Sequence, residues 1–406
     1  MVKIKKSVLA LIVALSIVIG ALGGFAAIEL DRRGTVDILD GTYVSEEEYE
    51  DYLYLIDTYG KADFIRDYIL ENYYTDVDVE QLDEGLYYGL FAGLGDVYSG
   101  YFTAEDYDYM MSSLTGSYSG VGITMEPTET GYVQITAVTE GAPAERAGLK
   151  TGDIIYAVDD VTYNASTMDI CAASIRGDIG TTVKITVLRD GESLDFTVKR
   201  EEIHTVTVSS RMLEDGIGYI RLSSFDETSD VDFAAALAGI EARGAHSFVL
   251  DLRGNPGGLV DVCVRIADML MDKGTVVYIE DRDGNRQYES TEDGRTKMNY
   301  VVLVDGGSAS SSEILSAGIQ DNGEAKIVGT VTFGKGIIQV TDRFSDGSGV
   351  KMTRYQYFSP NGRAIHGNGI TPDYIVEFEE SDIDEDGYVV YDRQLERAVE
   401  LLKTGK

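Results

Sequence analysis

Two apolar runs, at 218–223 and 247–252, flank a helix-like segment at 231–243, and this order constrains the fold more than any other stretch. A strand, a helix of that length and a second strand form a crossover whose strands pair in a largely parallel sheet. Directly after the second run comes Asp251-Leu252-Arg253-Gly254-Asn255-Pro256-Gly257-Gly258, followed by a helical pattern over 259–271. Two glycines at a strand-to-helix turn can aim backbone N–H groups at a developing oxyanion, or simply form a tight turn. A third apolar run, 300–304, leads into Ser308-Ala309-Ser310-Ser311-Ser312-Glu313 and a helix-like stretch at 314–320. A fourth, 325–328, delivers Thr332-Phe333-Gly334-Lys335-Gly336, with Ile337 and Ile338 behind it.

Serines at a strand-to-helix turn and one lysine among apolar neighbours have the makings of a nucleophile and its base. A serine hydroxyl attacks poorly until its proton is removed, and a lysine removes it only where burial brings its pKa toward neutrality. The residues alone leave Ser308, Ser310, Ser311 and Ser312 in competition. Ser310 also stands three residues before Glu313, the spacing of a helix capping box. His204, His246 and His366 offer a histidine-based scheme, with His366 the best placed. Gly329 and Gly334-Lys335 match most of a phosphate-binding loop, but Gly336 stands where a hydroxyl must reach magnesium and a strand-like run follows. Beyond it, 340–344 and 351–358 alternate as the arms of a hairpin across Asp346-Gly347.

Upstream, the pattern from 116 to about 200 is one of short alternating strands with helices near 142–148 and 167–175. Gly120-Val121-Gly122-Ile123 precedes a strand, and small residues there let consecutive N–H groups converge on a carboxylate. With Ala142-Pro143-Ala144, Ala147-Gly148-Leu149 and Gly152-Asp153-Ile154-Ile155, this segment resembles a PDZ domain, which binds a protein's C-terminus by strand addition. Arg176, at the end of the second helix, is a candidate partner for a peptide or a neighbouring domain. Before this segment, 40–109 is rich in acidic residues and tyrosine, with apolar positions such as Tyr52, Leu55, Ile56 and Tyr59 at helical spacing.

The formal net charge of -36 excludes the basic footprint that nucleic acids or an anionic membrane surface require. Cys171 and Cys263 each lie in an apolar helical run and read as buried free thiols. Asp382, Asp384, Asp386 and Gly387 begin like a calcium loop, but Arg393 occupies the position of the bidentate glutamate, so the segment reads as a turn. No metal-ligand spacing is present. Lys3, Lys5 and Lys6 precede an uncharged run at 7–28, whose 22 residues as a helix would be about 33 Å long, enough to cross a hydrocarbon core of roughly 30 Å. It reads as an uncleaved anchor in preference to a removed export signal, with the lysines inside and the rest of the chain outside the cytoplasm.

The serine turn, Phe333-Gly334-Lys335-Gly336-Ile337-Ile338-Gln339 and the 251–258 motif together resemble the carboxyl-terminal processing, or tail-specific, proteases. The resemblance extends to Leu94-Gly95-Asp96 with Tyr98-Ser99, to the PDZ segment, to Tyr357-Phe358-Ser359-Pro360-Asn361-Gly362-Arg363 and to Gly369-Ile370-Thr371-Pro372-Asp373. It implies that Ser310 is the nucleophile, Lys335 the general base and Gln339 a residue that positions the lysine. By the same match, backbone N–H groups of Gly257 or Gly258 and of Ser311 would form the oxyanion hole. Position 311 departs from the pattern, carrying serine where the family usually has alanine; a backbone donor survives that change.

The expected architecture is an α/β and α+β multidomain chain. It comprises a membrane anchor or signal segment (1–30), a helical N-terminal region (40–115), a PDZ domain (116–203), a Ser/Lys protease domain with a βαβ-type core sheet (204–378), and an acidic turn with a C-terminal helix (379–406). The expected partners are protein or peptide substrates with free C-termini, met through Gly120, Val121, Gly122, Ile123 and Arg176, and the membrane; a homo-oligomer is compatible with the sequence. No cofactor is implied. The rival reading is a PDZ-bearing adaptor whose protease domain is inert.

The N-terminal run carries its own prediction. The full-length chain should fractionate with membranes, and external protease should digest its ectodomain in intact cells or protoplasts. Recovery of a soluble mature chain beginning after about Ala27 would instead identify a removed signal.

Overall fold

The computed structural model describes residues 30–31, 35–39, 42–128, 130–139, 141–292, 294–384 and 389–404. The apolar run at 7–28, and with it the expected anchor, lies outside the described residues; among them no helix is long and apolar enough to cross a membrane. The chain divides into two compact units, Met1–Gly89 and Leu90–Lys406.

In the first unit, β1 (Leu30–Asp31), β2 (Thr35–Leu39) and β3 (Thr42–Ser45) form an antiparallel sheet ahead of helix α1 (Glu46–Asn72). Ser45 caps α1: its hydroxyl accepts the Glu48 N–H at 3.2 Å while the Glu48 carboxylate accepts the Ser45 N–H at 3.0 Å. The region expected to be helical from residue 40 therefore starts with strand, as the β-branched and aromatic residues Thr42, Tyr43 and Val44 favour. Helix α2 spans Val79–Ala92. A further departure comes at β4 (Gly100–Phe102), ahead of α3 (Ala104–Thr115).

A short strand, β5 (Ser117–Gly120), leads into a sheet built from β6 (Ile123–Pro127), β7 (Val133–Val138), β8 (Ile154–Val158), β9 (Val161–Thr162), β10 (Thr182–Arg189) and β11 (Glu192–Lys199). Its main path runs β11-β10-β8-β7-β6, which leaves β6 at an edge. Helices α4 (Pro143–Ala147) and α5 (Met168–Ile175) contribute Ala144, Cys171 and Ile175 to a core with Val133, Ile135, Ile155 and Ile185. The chain leaves through β12 (Glu201–His204), which pairs antiparallel with β5, so entry and exit of this module are tied together.

The remaining chain is built around β13 (Val208–Met212), β14 (Ile217–Leu222), β15 (Ser247–Asp251), β18 (Asn299–Val304), β19 (Lys326–Gly329) and β22 (Tyr374–Ile375), in that order across one sheet. Every pairing from β14 to β22 is parallel, the arrangement that the strand-helix-strand pattern predicts. Helices α6 (Ser229–Ala242), α7 (Val260–Leu270) and α8 (Ser311–Asn322) bury Phe233, Ile266 and Leu315 with one set of strand residues, including Ile220, Leu250 and Val302. The alternate set, including Tyr219, Val249 and Val301, packs with Ala398 and Leu401 of α9 (Arg393–Thr404). Covering both faces is why these strands read as continuous apolar runs. A second, antiparallel sheet has the order β17 (Arg286–Ser290), β16 (Thr275–Asp281), β21 (Gly349–Phe358), β20 (Ile337–Arg343), with β4 also pairing β21.

Two charge clusters fasten the C-terminal segment. Asp382 is paired with Arg393, whose Nη2 lies 2.9 Å from Asp382 Oδ1, so the residue that spoils a calcium loop supplies the cation itself. The Arg253 guanidinium donates to Asp251 Oδ2 at 2.6 Å and to Asp392 Oδ2 at 2.8 Å, while the Tyr219 hydroxyl donates to Asp251 at 2.7 Å. Because Asp251 is fully buried and Arg253 only 13% exposed, removing one partner strands a buried charge. Asp251→Ala is expected to cost about 3 kcal/mol in chemical denaturation, near the low end for a broken buried pair because Asp392 remains.

Candidate active site

Neighbouring parallel strands end at the same edge of their sheet, so the segments after β15, β18 and β19 emerge side by side. These are the glycine turn, the serine turn and the lysine loop, which are far apart in sequence. Asn255, fully buried, joins the first two: its carbonyl accepts the Ala309 N–H at 2.9 Å and the Ser312 hydroxyl at 3.0 Å, and its side-chain amide donates to Leu222 O at 2.9 Å. The serine and lysine loops are joined by Phe333 N–H donating to Ser308 O at 3.0 Å.

The four competing serines now separate. Ser308 donates to Leu252 O at 2.8 Å, Ser311 to Gly258 O at 2.8 Å and Ser312 to Asn255 O at 3.0 Å, and all three are fully buried. Each therefore fixes backbone. Ser310 is partly exposed and has φ 54° and ψ -116°, a left-handed conformation that costs a non-glycine residue roughly 1–3 kcal/mol and recurs at functional turns. A strained serine between a strand and a helix has the build of a nucleophile elbow, reached here without that motif's flanking glycines. Gly257 explains one side of the fit: a Cβ placed on it would stand 2.7 Å from Ser310 Cβ and 2.9 Å from Ser311 N.

Glu313 is the residue whose importance the sequence understated. Its Oε2 accepts the N–H groups of Ser310 at 3.0 Å and Lys335 at 2.9 Å; its Oε1 accepts the Thr332 hydroxyl at 2.6 Å and the Gly334 N–H at 2.7 Å. The capping-box spacing located the first of these contacts, but nothing local announces the other three.

Lys335 Nζ lies 5.0 Å from the centroid of the Tyr98 ring, and among the described residues no hydrogen bond joins it to Ser310. Burial, reinforced by repulsion from Lys351, holds its ammonium below the usual lysine range, while Asp96 and Glu313 oppose that shift. Gln339 does not bond Lys335: its amide donates to Thr353 Oγ1 at 3.1 Å. Thr353 N–H donates to Ser99 Oγ at 2.9 Å, and Ser99 donates to Asp96 at 2.6 Å, so the Asp96–Ser99 turn and Gln339 belong to one network beside the lysine.

The oxyanion candidates need one correction. Gly257 N–H donates to Asn255 Oδ1 at 2.8 Å and is therefore occupied. Gly258 N–H and Ser311 N–H have no acceptor among the described residues. Orphan amides at a helix start suit an anionic oxygen.

The peptide-binding candidates divide as well. Val121 is 1% exposed within the core of its module, so its side chain is structural. Gly120 lies in β5 opposite Glu201, and Gly122 has φ 81° with room for no side chain, since a Cβ would meet Ala142 Cβ at 2.3 Å. Ile123 begins the edge strand β6. Arg176 lies beside the strand that leads into this loop: its guanidinium faces the rings of Tyr109 at 5.8 Å and Tyr118 at 5.9 Å, and the carbonyl of the next residue, Gly177, accepts the Ser119 hydroxyl. The exposed His366 has its backbone against Gly336, where a Cβ would meet His366 N at 2.2 Å.

The Glu313 contacts give a measurable expectation. Glu313→Ala removes the acceptor from four donors, and at about 1–3 kcal/mol per buried unsatisfied group the loss should reach at least ~3 kcal/mol in urea unfolding. Ser310→Ala, which removes one hydroxyl at a partly exposed position, should unfold near the wild-type midpoint.

Comparison with known proteins matches residues 216–376 to the model of peptidase family S41 and residues 119–199 to that of the PDZ domain. The chain is 34% identical over 308 residues to the carboxy-terminal processing protease CtpA of Bacillus subtilis (strain 168), covering 75% of this chain and 66% of that protein. It is 34% identical over 310 residues to the "Probable CtpA-like serine protease" of Staphylococcus aureus (strain COL), covering 75% of this chain and 62% of the relative. The chain thus spans somewhat less than two thirds of these relatives' own length. Among solved structures, the photosystem II D1 C-terminal processing protease aligns at 27% identity and a TM-score of 0.46, over 79% of this chain and 88% of that one. The chain belongs to the carboxy-terminal processing proteases of peptidase family S41, a family of serine-type peptidases, and it carries a PDZ domain.

Proposed function

We propose that this protein is a membrane-anchored, extracytoplasmic Ser/Lys endopeptidase that recognises protein C-termini through its PDZ domain and cleaves the attached polypeptide. The observation that carries the reading is the division of labour in the serine turn: Ser308, Ser311 and Ser312 hold backbone, while the strained Ser310 shares Glu313 with Lys335. In the reaction, neutral Lys335 accepts the Ser310 proton as Oγ attacks the scissile carbonyl, and the ammonium then returns a proton to the leaving amine. Gly258 and Ser311 N–H groups receive the oxyanion. Water hydrolyses the acyl-enzyme by the same proton path in reverse. The Lys335 side chain must leave the Tyr98 ring to meet Ser310, consistent with catalytic hydrogen bonds that tighten only when substrate is bound. Edge strand β6 supports substrate delivery, since an open edge accepts a peptide as an added strand.

Incubating the ectodomain with an unstructured protein and mapping the fragments by mass tests this reading. Ser310→Ala and Lys335→Ala should each lower turnover by on the order of 10,000-fold while remaining folded. Lys335→Arg should be as inactive, because arginine keeps its proton. Near-wild-type turnover in Lys335→Ala with an inactive His366→Ala would replace the lysine scheme, and no cleavage by the wild type would favour an inert adaptor.

The depressed pKa of Lys335 sets the pH dependence. The base is active when neutral, so activity should rise with pH through that pKa, by about tenfold per unit well below it, and the rise should begin at a lower pH than for an ordinary lysine. For the PDZ domain, amidating a peptide's C-terminus should weaken its binding by the loss of charge-assisted hydrogen bonds worth about 1.5–3 kcal/mol each. Equal affinity for the acid and the amide would remove carboxylate capture from the mechanism.

A further inference from the structure

Glu313 gathers the N–H groups of Ser310 and Lys335, and the carbonyl groups of the same two residues converge on a different side chain. Tyr357, on β21, is fully buried, and its hydroxyl donates to Lys335 O and stands 3.2 Å from Ser310 O. Its own N–H donates to Gly336 O at 3.0 Å, so one residue grips the lysine loop at two successive carbonyls. The two catalytic backbones differ in what they have besides Tyr357. Ser310 O already accepts the N–H groups of Glu313 at 2.8 Å and Ile314 at 2.9 Å, whereas Lys335 O has no other donor among the described residues.

We propose that Tyr357 is a positioning residue for the dyad, its phenol fixing the Lys335 main chain against the Ser310 turn so that Nζ can reach Oγ. This rests on the Ser/Lys reading above. The phenol touches neither substrate nor reacting atoms and acts only through the lysine loop. Burial pushes its pKa well above the ordinary tyrosine value, so it remains a donor throughout the pH range in which the lysine titrates. Without the phenol, the Lys335 carbonyl must seek water, and a loop that admits water relieves the desolvation that lowers the lysine's pKa.

The test uses the ectodomain with a quenched peptide substrate and active-site titration by a fluorophosphonate. Tyr357→Phe should label at Ser310 and bind substrate with unchanged KM. Its kcat should fall about 10- to 100-fold, the scale of a small misplacement of a catalytic group, and the acid limb of its pH profile should move to higher pH. Placing 4-fluorophenylalanine at 357 preserves volume without restoring the donor and should reproduce the defect, deciding the matter if the phenylalanine variant folds poorly. Placing 4-aminophenylalanine there restores a donor and should recover most of the kcat. Wild-type kcat and acid limb in the folded fluorinated variant would overturn the proposal, as would a defect that the amine leaves unchanged. Failure of the underlying reading is distinguishable, because Ser310→Ala or Lys335→Ala would then cleave as well as the wild type.

Discussion

The site depends on one buried carboxylate. Glu313 sits in the first turn of α8 and spends its two oxygens on four donors, two from the lysine loop's backbone, one from the Ser310 amide and one from the Thr332 hydroxyl. An isolated buried carboxylate would be prohibitively costly, and here its charge is compensated by hydrogen bonds and by the helix start on which it sits. The arrangement is stiff because it ties two segments together: the serine turn is anchored by its helix, and the lysine loop, which supplies three of the four donors, runs between β19 and β20. Thr332 extends the junction, its hydroxyl accepting the Ile370 N–H at 2.7 Å.

The same carboxylate sets a conflict for Lys335, the proposed base. In the proposed mechanism Lys335 works as the neutral amine, yet Glu313 and Asp96 both favour its charged form, as does the π-face of Tyr98. Burial and the nearby Lys351 outweigh them. The net downward shift is thus a balance between opposing influences led by burial, which makes Lys335 sensitive to water entering its loop. The proposed Ser/Lys pair would tolerate this because a lysine needs no third charged partner to choose its tautomer, as an imidazole does.

Strain at Ser310 has a structural counterpart in its neighbours. A residue at φ 54° persists only where its surroundings over-determine it, and here Ser308, Ser311, Ser312 and Asn255 all hydrogen-bond backbone around it. The serine-rich composition of the turn is therefore a packing requirement as much as a chemical one. Serine at 311 uses its hydroxyl to hold Gly258 O, leaving both orphan amides in place.

The sequence by itself determined the parallel sheet, the strand-to-helix turns and the chemistry available at their ends, because apolar periodicity and turn residues act over short stretches. It located the helices at 259–271 and 314–320 and the hairpin that became β20 and β21. It did not reveal the strand at Gly100–Phe102, whose partner in β21 lies far along the chain. Nor could spacing rank four serines, distinguish Gly257 from Gly258, or show that Gln339 reaches Thr353 and Arg176 reaches two tyrosines. Those outcomes are hydrogen bonds and ring contacts between segments that meet only in the fold. Tertiary structure alone made Glu313 and Tyr357 the opposite jaws of one clamp, since local sequence cannot state which carbonyls and amides a buried side chain will find.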